Sequence, residues 1–261
     1  MTISPPNRCI SSMPQAEFLL IDNSNSFTKL ALSTLDELGP IRRHATRELD
    51  GPAIHRLIRG WRFDAVVLSS VVPVKGELLA RTLDDWPVLR VDAWTNIGVG
   101  IDYPRRGSIG ADRLANAAAA PKFYGAPVVV VDFGTAVTFD IISRQKKYIG
   151  GVIAPGLEAM TDYLHHRTAQ LPKIKLLEPP SAIGKSTKHA MLAGAVFGYR
   201  GLVREIISQI RRELGARKLT VVATGGYAEL IAAGLEEIDD VHPNLTLEGL
   251  RIIGALNSDG C

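Results

Sequence analysis

The sequence has little cysteine and no long apolar run. Of its 261 residues only Cys9 and Cys261 are cysteines, and they lie at opposite ends of the chain without the spacing of metal ligands. Two thiols so far apart fit a reducing compartment and argue against a disulfide-stapled scaffold. The longest apolar stretches, such as residues 128–131, are far too short to cross a bilayer. We therefore expect a cytoplasmic protein with no membrane partner.

The sequence also lacks an excess of either charge. Lys and Arg number 30 against 27 Asp and Glu, a formal net charge of +3, and the basic residues occur as scattered pairs. Proteins that bind nucleic acid usually cluster these residues on one face, so we expect no nucleic-acid partner. A P-loop is missing too, because residues 184–187 read Gly-Lys-Ser-Thr without the first glycine of that motif.

The first fifteen residues lack the apolar core of an export signal. They contain Pro5, Pro6 and Pro14 among polar residues, which predicts a disordered extension over residues 1–15. Hydrophobic residues make up 46% of the whole sequence, which is typical of a globular protein with a sizeable core.

What is present is a repeated pattern of apolar segments. Residues 18–21 predict a strand that ends at Asp22, with a hairpin partner at 28–33, and residues 127–131 and 136–142 repeat this order around Asp132. The repeat predicts an α/β fold of two related lobes, residues 16–120 and 121–261, with a cleft between them. Two coincidental units within one domain remain the alternative. Further strands are expected at 65–72, 87–91 and 219–223, and a turn is expected at Gly150-Gly151. Helices are expected at 75–83, 111–120, 155–171, 186–214 and 247–256.

Both strands that end in aspartate lead into small polar turns. The turn at residues 22–26 reads Asp-Asn-Ser-Asn-Ser and could offer backbone N–H groups to phosphate oxygens, while Asp22 could hold a metal and Lys29 could reach a terminal phosphate. Residues 132–135 and the Thr-Gly-Gly sequence at 224–226 suit phosphates in the same way. Each segment alone is more often an ordinary turn. Together they resemble the nucleotide cleft of the actin-like ATPase and sugar-kinase superfamily.

A series of ordered motifs narrows this resemblance. Residues 110–116 read Gly-Ala-Asp-Arg-Leu-Ala-Asn, and Tyr103 lies upstream. The motifs SSVVP, GGVIAPG, TAQLP, IGKST and LTLEGL lie in the expected order at residues 69–73, 150–156, 168–172, 183–187 and 245–250. Across residues 17–257 the chain resembles the type III pantothenate kinases.

The resemblance implies phosphorylation of pantothenate by ATP to 4'-phosphopantothenate, the first step of coenzyme A biosynthesis. It also implies two actin-like, ribonuclease H-like lobes, each a mixed sheet with flanking helices, and a homodimer whose acceptor pocket draws on both subunits. Asp112 would be the general base and Asp132 would hold K⁺ or NH₄⁺, while Mg²⁺ would accompany ATP, with Asp22 as its possible ligand. The implied ATP site comprises Asp22, Asn23, Ser24, Asn25, Ser26, Phe27, Thr28, Lys29 and Thr135. The implied pantothenate pocket comprises Tyr103, Gly110, Ala111, Asp112, Arg113 and Thr187.

Ser24 departs from the family pattern, which has glycine at this position. If the position requires a positive φ, serine costs about 1–2 kcal/mol there and its Cβ crowds the phosphate, so ATP binding would weaken. Ser24 therefore keeps open a catalytically weak, nucleotide-binding regulatory paralogue. A kinase of the same superfamily that acts on another small hydroxylated acceptor is the remaining alternative.

Overall fold

The computed structural model describes residues 16–258. The expected disordered extension at residues 1–15, and both Cys9 and Cys261, lie outside this region. Within residues 16–258, no helix has both the length and the apolar character that a membrane span requires.

The described region alternates short strands with helices. The strands are β1 (Ala16–Asn23), β2 (Phe27–Ser33), β3 (Leu38–Ala45), β4 (Phe63–Ser70), β5 (Val88–Arg90), β6 (Gly100–Ile101), β7 (Val128–Phe133), β8 (Ala136–Ile142), β9 (Lys147–Pro155), β10 (Thr220–Thr224) and β11 (Asp240–Val241). The α-helices are α1 (Gly51–Ile58), α2 (Pro73–Thr82), α3 (Ala111–Tyr124), α4 (Leu157–Arg167), α5 (Thr187–Glu213), α6 (Ala228–Ala232) and α7 (Leu245–Asn257), and single 3₁₀ turns occur at Thr46–Glu48 and Arg106–Ser108.

The strands form two mixed sheets with the same internal order. The first sheet runs β3-β2-β1-β4-β5, and the second runs β9-β8-β7-β10-β11 with β6 added beyond β9. In both sheets the first three strands of the repeat pair antiparallel and the last two pair parallel. The predicted repeat of two mixed sheets is therefore confirmed.

The central strands of both sheets are buried on their two faces. Along β1, Phe18 and Leu20 pack toward the centre of the molecule, while Leu19 and Ile21 pack outward against α1 and α2. The strand β7 alternates in the same way, with its even-numbered valines inward and its odd-numbered valines toward α5 and α6. Because successive side chains of a strand point to opposite faces, a continuous run of valine at 128–131 serves both cores.

Two helices fill the space between the sheets, and each packs against the sheet of the other repeat. The helix α3 precedes the second sheet in the chain and packs on β7 and β8 as well as on β4, whereas α7 ends the second repeat and packs on β1 and β4 of the first sheet. Small residues permit their close approach, since a Cβ on Gly249 of α7 would overlap the Ala115 backbone of α3. The strand β6 likewise pairs with β9. The division near residue 120 stays a prediction, and these three elements join the two lobes across it.

Some local expectations were wrong. The turn expected at Gly150-Gly151 does not form, and residues 147–155 are one strand. Gly150, with φ 137°, lies at an irregularity in the pairing with β8, where the register shifts but the strand continues. The helix expected to reach residue 171 ends at Arg167, and the structure adds β3 and α1, which the apolar pattern did not reveal. The strand β3 is mostly polar and lies at a sheet edge, so its sequence carries little alternation.

Candidate active site

The first polar turn closes the β1–β2 hairpin. Its conformation is fixed from within by the Ser24 N–H, which donates to the Phe27 carbonyl at 3.1 Å. Thr46 holds it from outside, because its hydroxyl donates to the Ser24 carbonyl at 2.7 Å and its N–H donates to the Ser26 carbonyl at 3.0 Å. The N–H groups of Asn25 and Ser26 donate to no acceptor within residues 16–258. The turn therefore offers two backbone donors on a rigid support, as an anion site requires.

Buried side chains behind the turn reinforce it. The Asn23 amide donates to the Thr28 hydroxyl at 2.8 Å, and its carbonyl accepts from the Ser70 hydroxyl at 2.7 Å. Thr28 in turn contacts the Thr46 hydroxyl at 3.0 Å. Asn23 and Thr28 thus support the turn from below, where they are buried, while Phe27 is exposed and its ring lies 3.4 Å from the Arg43 guanidinium carbon.

Three carboxylates lie on the inner faces of the two sheets. Asp22 continues the inward series of Phe18 and Leu20 on β1, and Asp132 continues the inward valines of β7. Asp140 pairs with Val130 in the register of β7 and β8 and shares the inward face with Ile142. Strand alternation therefore directs all three side chains toward α3.

The turns of the two repeats meet across the cleft. The Ser26 and Thr135 hydroxyls, 109 positions apart in the chain, lie 2.9 Å from each other. Lys29, which pairs with Asp22 in the β1–β2 register, lowers the pKa of both Asp22 and Asp132 through its positive charge. The structure thus brings Asp22, Lys29, Asp132 and Thr135 close together at the cleft, and their roles in binding stay predictions.

The first turn of α3 faces this site. Gly110 precedes the helix, Asp112 and Arg113 follow at its N-terminus, and the Arg113 N–H donates to the Asp112 carboxylate at 2.8 Å. A Cβ on Gly110 would lie 2.5 Å from the same carboxylate, so glycine leaves room for Asp112. The charge of Asp112 raises the pKa of Asp22, Asp132 and Asp140, so Asp112 lies within electrostatic reach of all three.

Burial dominates the electrostatics of these acids. It raises the pKa of Asp22 to about 7, that of Asp132 to about 6 and that of Asp140 to about 7, because a low-dielectric surrounding disfavours the charged form. Burial also raises the pKa of Asp112, against the opposing backbone N–H and guanidinium of Arg113. The positive side chains nearby therefore compensate this negative charge incompletely.

A glycine-rich segment approaches Asp132 from β10. Gly225 has φ 93°, and a Cβ there would lie 2.5 Å from the Asp132 carboxylate and 2.7 Å from the Phe133 backbone. Gly226, by contrast, is exposed, and a Cβ on it would meet nothing within 4 Å. The first glycine is thus required for packing, whereas the second leaves the surface open to a ligand.

The donor set fits oxygen-seeking cations. The Asp22 carboxylate accepts from the Ser24 hydroxyl at 3.1 Å, and the Asp132 carboxylate accepts only weakly from the Asn116 amide at 3.5 Å. Residues 16–258 contain no cluster of three or more His, Cys, Asp or Glu side chains arranged as a metal cage. One or two carboxylates beside phosphate oxygens are how proteins usually hold Mg²⁺, so the Asp22 carboxylate fits such a site, and the Asp132 carboxylate offers oxygen ligands to a second cation.

The remaining predicted residues differ in placement. Ala111 is buried at the start of α3, and the Tyr103 ring meets the Tyr148 ring edge-on at a centroid distance of 6.1 Å. Thr187 is exposed at the start of α5, and no hydrogen bond among the described residues joins it to the cleft. Ser24 corrects an expectation, since it is absent from the described non-glycine residues of positive φ and so carries no left-handed strain.

Sequence reasoning missed three residues of this site. Asn116 lies one helical turn after Asp112 and links the Asp132 carboxylate to the Thr246 hydroxyl, which donates to the Asn116 carbonyl at 2.9 Å. The spacing of four residues within the motif at 110–116 was an available signal, because residues i and i+4 share a helix face. Thr246 and Asp140 gave no such signal, since their roles depend on packing between distant elements.

Comparison with known proteins identifies related sequences over most of the chain. The family model for type III pantothenate kinase matches residues 18–209. A type III pantothenate kinase of Akkermansia muciniphila is 53% identical over 244 residues, covering 92% of this chain and 99% of the relative. One of Methylacidiphilum infernorum is 41% identical over 239 residues, covering 91% and 88%.

Solved structures agree in fold. A protein of Campylobacter jejuni described as belonging to the Baf family of transcriptional activators superposes with a TM-score of 0.62 at 18% identity, covering 92% of this chain and 99% of the other. MreB 5 of Spiroplasma citri superposes with a TM-score of 0.52 at 11% identity, covering 94% and 98%. These likenesses confirm the predicted actin-like architecture of two lobes, and the sequence matches confirm the predicted resemblance. The chain belongs to the type III pantothenate kinase family.

Proposed function

We propose that the cleft between the two sheets transfers the γ-phosphate of ATP to the primary hydroxyl of pantothenate, giving 4'-phosphopantothenate and ADP. One observation carries the assignment of the reaction to this cleft. The two polar turns meet at Ser26 and Thr135, and the carboxylate of Asp112 lies beside the neighbouring Asp22 and Asp132. Phosphoryl transfer depends mainly on positioning and on neutralising charge, and these turns supply both.

Asp112 acts as the general base. Its carboxylate takes the proton of the primary hydroxyl as the hydroxyl oxygen attacks the γ-phosphorus, and the bond from that phosphorus to the bridging oxygen of ADP breaks. Burial raises the pKa of Asp112, which makes the carboxylate a better proton acceptor than an exposed aspartate. The Arg113 backbone N–H keeps the ionised form available by donating to it.

The first turn binds the phosphates of ATP. The free N–H groups of Asn25 and Ser26 would donate to phosphate oxygens, and the Lys29 ammonium would add a positive charge beside Asp22. Thr135 approaches the same place from the second sheet. The predicted ATP residues that face away from the cleft surface, Asn23 and Thr28, support the turn through buried hydrogen bonds.

The acceptor pocket lies at the first turn of α3. Pantothenate carries a carboxylate, and the planar fork of an arginine matches a carboxylate in geometry and charge. Arg113 is the cation at this place, with Gly110 and Ala111 beside it and Tyr103 adjoining through Tyr148.

Asp22 would hold the Mg²⁺ that accompanies ATP, and Asp132 would hold a monovalent cation, K⁺ or NH₄⁺. When bound, these ions neutralise negative charge on the phosphates, a role that the lysine of a P-loop has in proteins that contain that motif. Asn116 orients the Asp132 carboxylate, and Ser24 orients that of Asp22.

The active form is a homodimer. The helix α5 presents an open face in the single chain, where Gly194, Gly198 and Gly201 have nothing within 4 Å of an added Cβ and Phe197 is exposed. Small residues allow a second backbone to approach closely, and Thr187 begins this same helix. A second copy on this face would account for the absence of Thr187 from the acceptor pocket of its own chain. Light scattering of the purified protein tests the assignment, and a monomeric mass contradicts it.

The reaction is tested by measuring ADP release with Mg²⁺ and ATP, with and without pantothenate and K⁺, together with the mass of the product. We expect ADP release that depends on pantothenate and is stimulated by K⁺, and a product heavier than pantothenate by one phosphoryl group. Nucleotide binding without turnover would favour the regulatory paralogue. ADP release only with another hydroxylated acceptor would favour a different kinase.

A further inference from the structure

Asp140 is a buried carboxylate that the proposed reaction does not use directly. One of its oxygens accepts from the Arg113 side-chain Nε–H at 2.6 Å and from the Tyr148 hydroxyl at 3.3 Å. Asp140 is fully buried and the Arg113 side chain is 13% exposed, so the pair is almost wholly removed from solvent. These contacts join the strands β8 and β9 to the N-terminus of α3.

The contact uses only one edge of the guanidinium. The Nη1 and Nη2 groups of Arg113 donate to no hydrogen-bond acceptor within residues 16–258. The edge of the guanidinium that carries these two groups is therefore free to bind a carboxylate with two parallel hydrogen bonds. The surrounding wall is close, since a Cβ on Gly151 would overlap both Arg113 Nη2 and the Phe139 carbonyl, and the guanidinium carbon lies 5.7 Å from the Tyr148 ring centroid. The Arg113 side chain is thus held in one orientation with its binding edge unused.

The pair is poorly explained by stability alone. A buried ion pair gains little net stability over apolar residues, because the cost of removing two charges from water offsets their attraction. The second oxygen of Asp140 is buried and has no hydrogen-bond partner within the described residues. A pair held only for stability would be expected to be bidentate, with both carboxylate oxygens accepting from two N–H groups on one edge of the guanidinium.

We propose that Asp140, supported by Tyr148, is a positioning residue that directs the Arg113 guanidinium at the carboxylate of the acceptor. The inference rests on the proposed function, because it assigns the carboxylate selectivity of that same pocket.

The test compares steady-state constants of wild type, Asp140→Asn, Arg113→Gln and the double variant. Asp140→Asn is expected to raise the KM for pantothenate by at least about tenfold, with the KM for ATP changed less than about twofold, because only the acceptor's partner is disoriented. In the Arg113→Gln background, Asp140→Asn should change the pantothenate KM by less than about threefold, since the two residues act as one unit. The preference for pantothenate over its alcohol analogue, which lacks the carboxylate, should fall equally in both single variants.

Two further variants separate positioning from folding. Glu248→Gln breaks the half-buried Arg251–Glu248 pair, 2.8 Å apart on α7, and is expected to lower the unfolding temperature without altering the pantothenate KM. If Asp140→Asn does not fold, Tyr148→Phe takes its place, because it removes only the second hydrogen bond to the same oxygen and should raise the pantothenate KM selectively.

Equal increases in both KM values, additive effects in the double variant, or an unchanged pantothenate KM in folded Asp140→Asn would each overturn the inference alone. A wild type that cannot phosphorylate pantothenate would overturn the proposed function and this inference with it.

Discussion

Gly225→Ala is expected to damage both the stability of the chain and the cleft. The residue has φ 93°, where an L-residue costs about 1–2 kcal/mol. The added Cβ would lie 2.5 Å from the Asp132 carboxylate and 2.7 Å from the Phe133 backbone, and such overpacking typically costs about 1–3 kcal/mol. Together these costs lower the free energy of unfolding by about 2–5 kcal/mol, or roughly 4–20 °C in Tm at about 2–4 °C per kcal/mol.

Thermal unfolding measures this change, and the adjacent glycine provides a matched control. Gly226→Ala adds the same methyl group in open space, so its Tm should stay within about 2 °C of wild type. Because Gly225 packs against Asp132, Gly225→Ala should also weaken stimulation by K⁺. Equal Tm values for the two variants, or a larger loss at Gly226, would refute the reasoning.

Three further predictions concern the carboxylates. Asp22 and Asp140 bind protons more tightly in the folded chain than in the unfolded chain, because folding raises the pKa of each from 3.8 to about 7. Without ligands, the free energy of unfolding should therefore fall as the pH rises from about 4 to about 7. A Tm that increases from pH 5 to pH 7 would contradict this. Ser24→Gly removes a hydroxyl at 3.1 Å from Asp22 and relieves no left-handed strain, so the KM for ATP should change by less than about threefold, and a tenfold decrease would restore the crowding explanation. Asn116→Ala leaves the Asp132 carboxylate unsupported and should raise the K⁺ concentration for half-maximal activity by about threefold or more, whereas an unchanged K⁺ response would separate Asn116 from that site.

The sequence predicted the parts of the fold that are encoded locally. The apolar runs ending at Asp22 and Asp132 revealed the repeated strands, because a strand buried on both faces is almost continuously hydrophobic. The edge strand β3 and the helix α1 did not stand out, since their burial depends on neighbours in the sheet. Gly150-Gly151 was misinterpreted as a turn because a glycine at a strand irregularity has the same local signature.

The candidate site was predicted through motif order more than through physics. The contact between Ser26 and Thr135 depends on how the two repeats pack against each other, and a local sequence pattern carries no information on that packing. Asp140 and Thr246 were missed for the same reason, because each contacts α3 across a large sequence separation. Ser24 shows the opposite error, since a family glycine suggested a positive φ that the backbone of this chain does not adopt.

The role of Asp112 as the base tests the account most directly. Pantothenate-dependent ADP release should be measured for wild type and Asp112→Asn, with nucleotide binding measured in parallel. The account predicts that kcat falls about 10²- to 10⁴-fold in Asp112→Asn, which keeps the side-chain shape but cannot accept the hydroxyl proton, while ATP binding is retained. A kcat within about threefold of wild type in the folded variant would contradict general-base catalysis by Asp112 in this cleft.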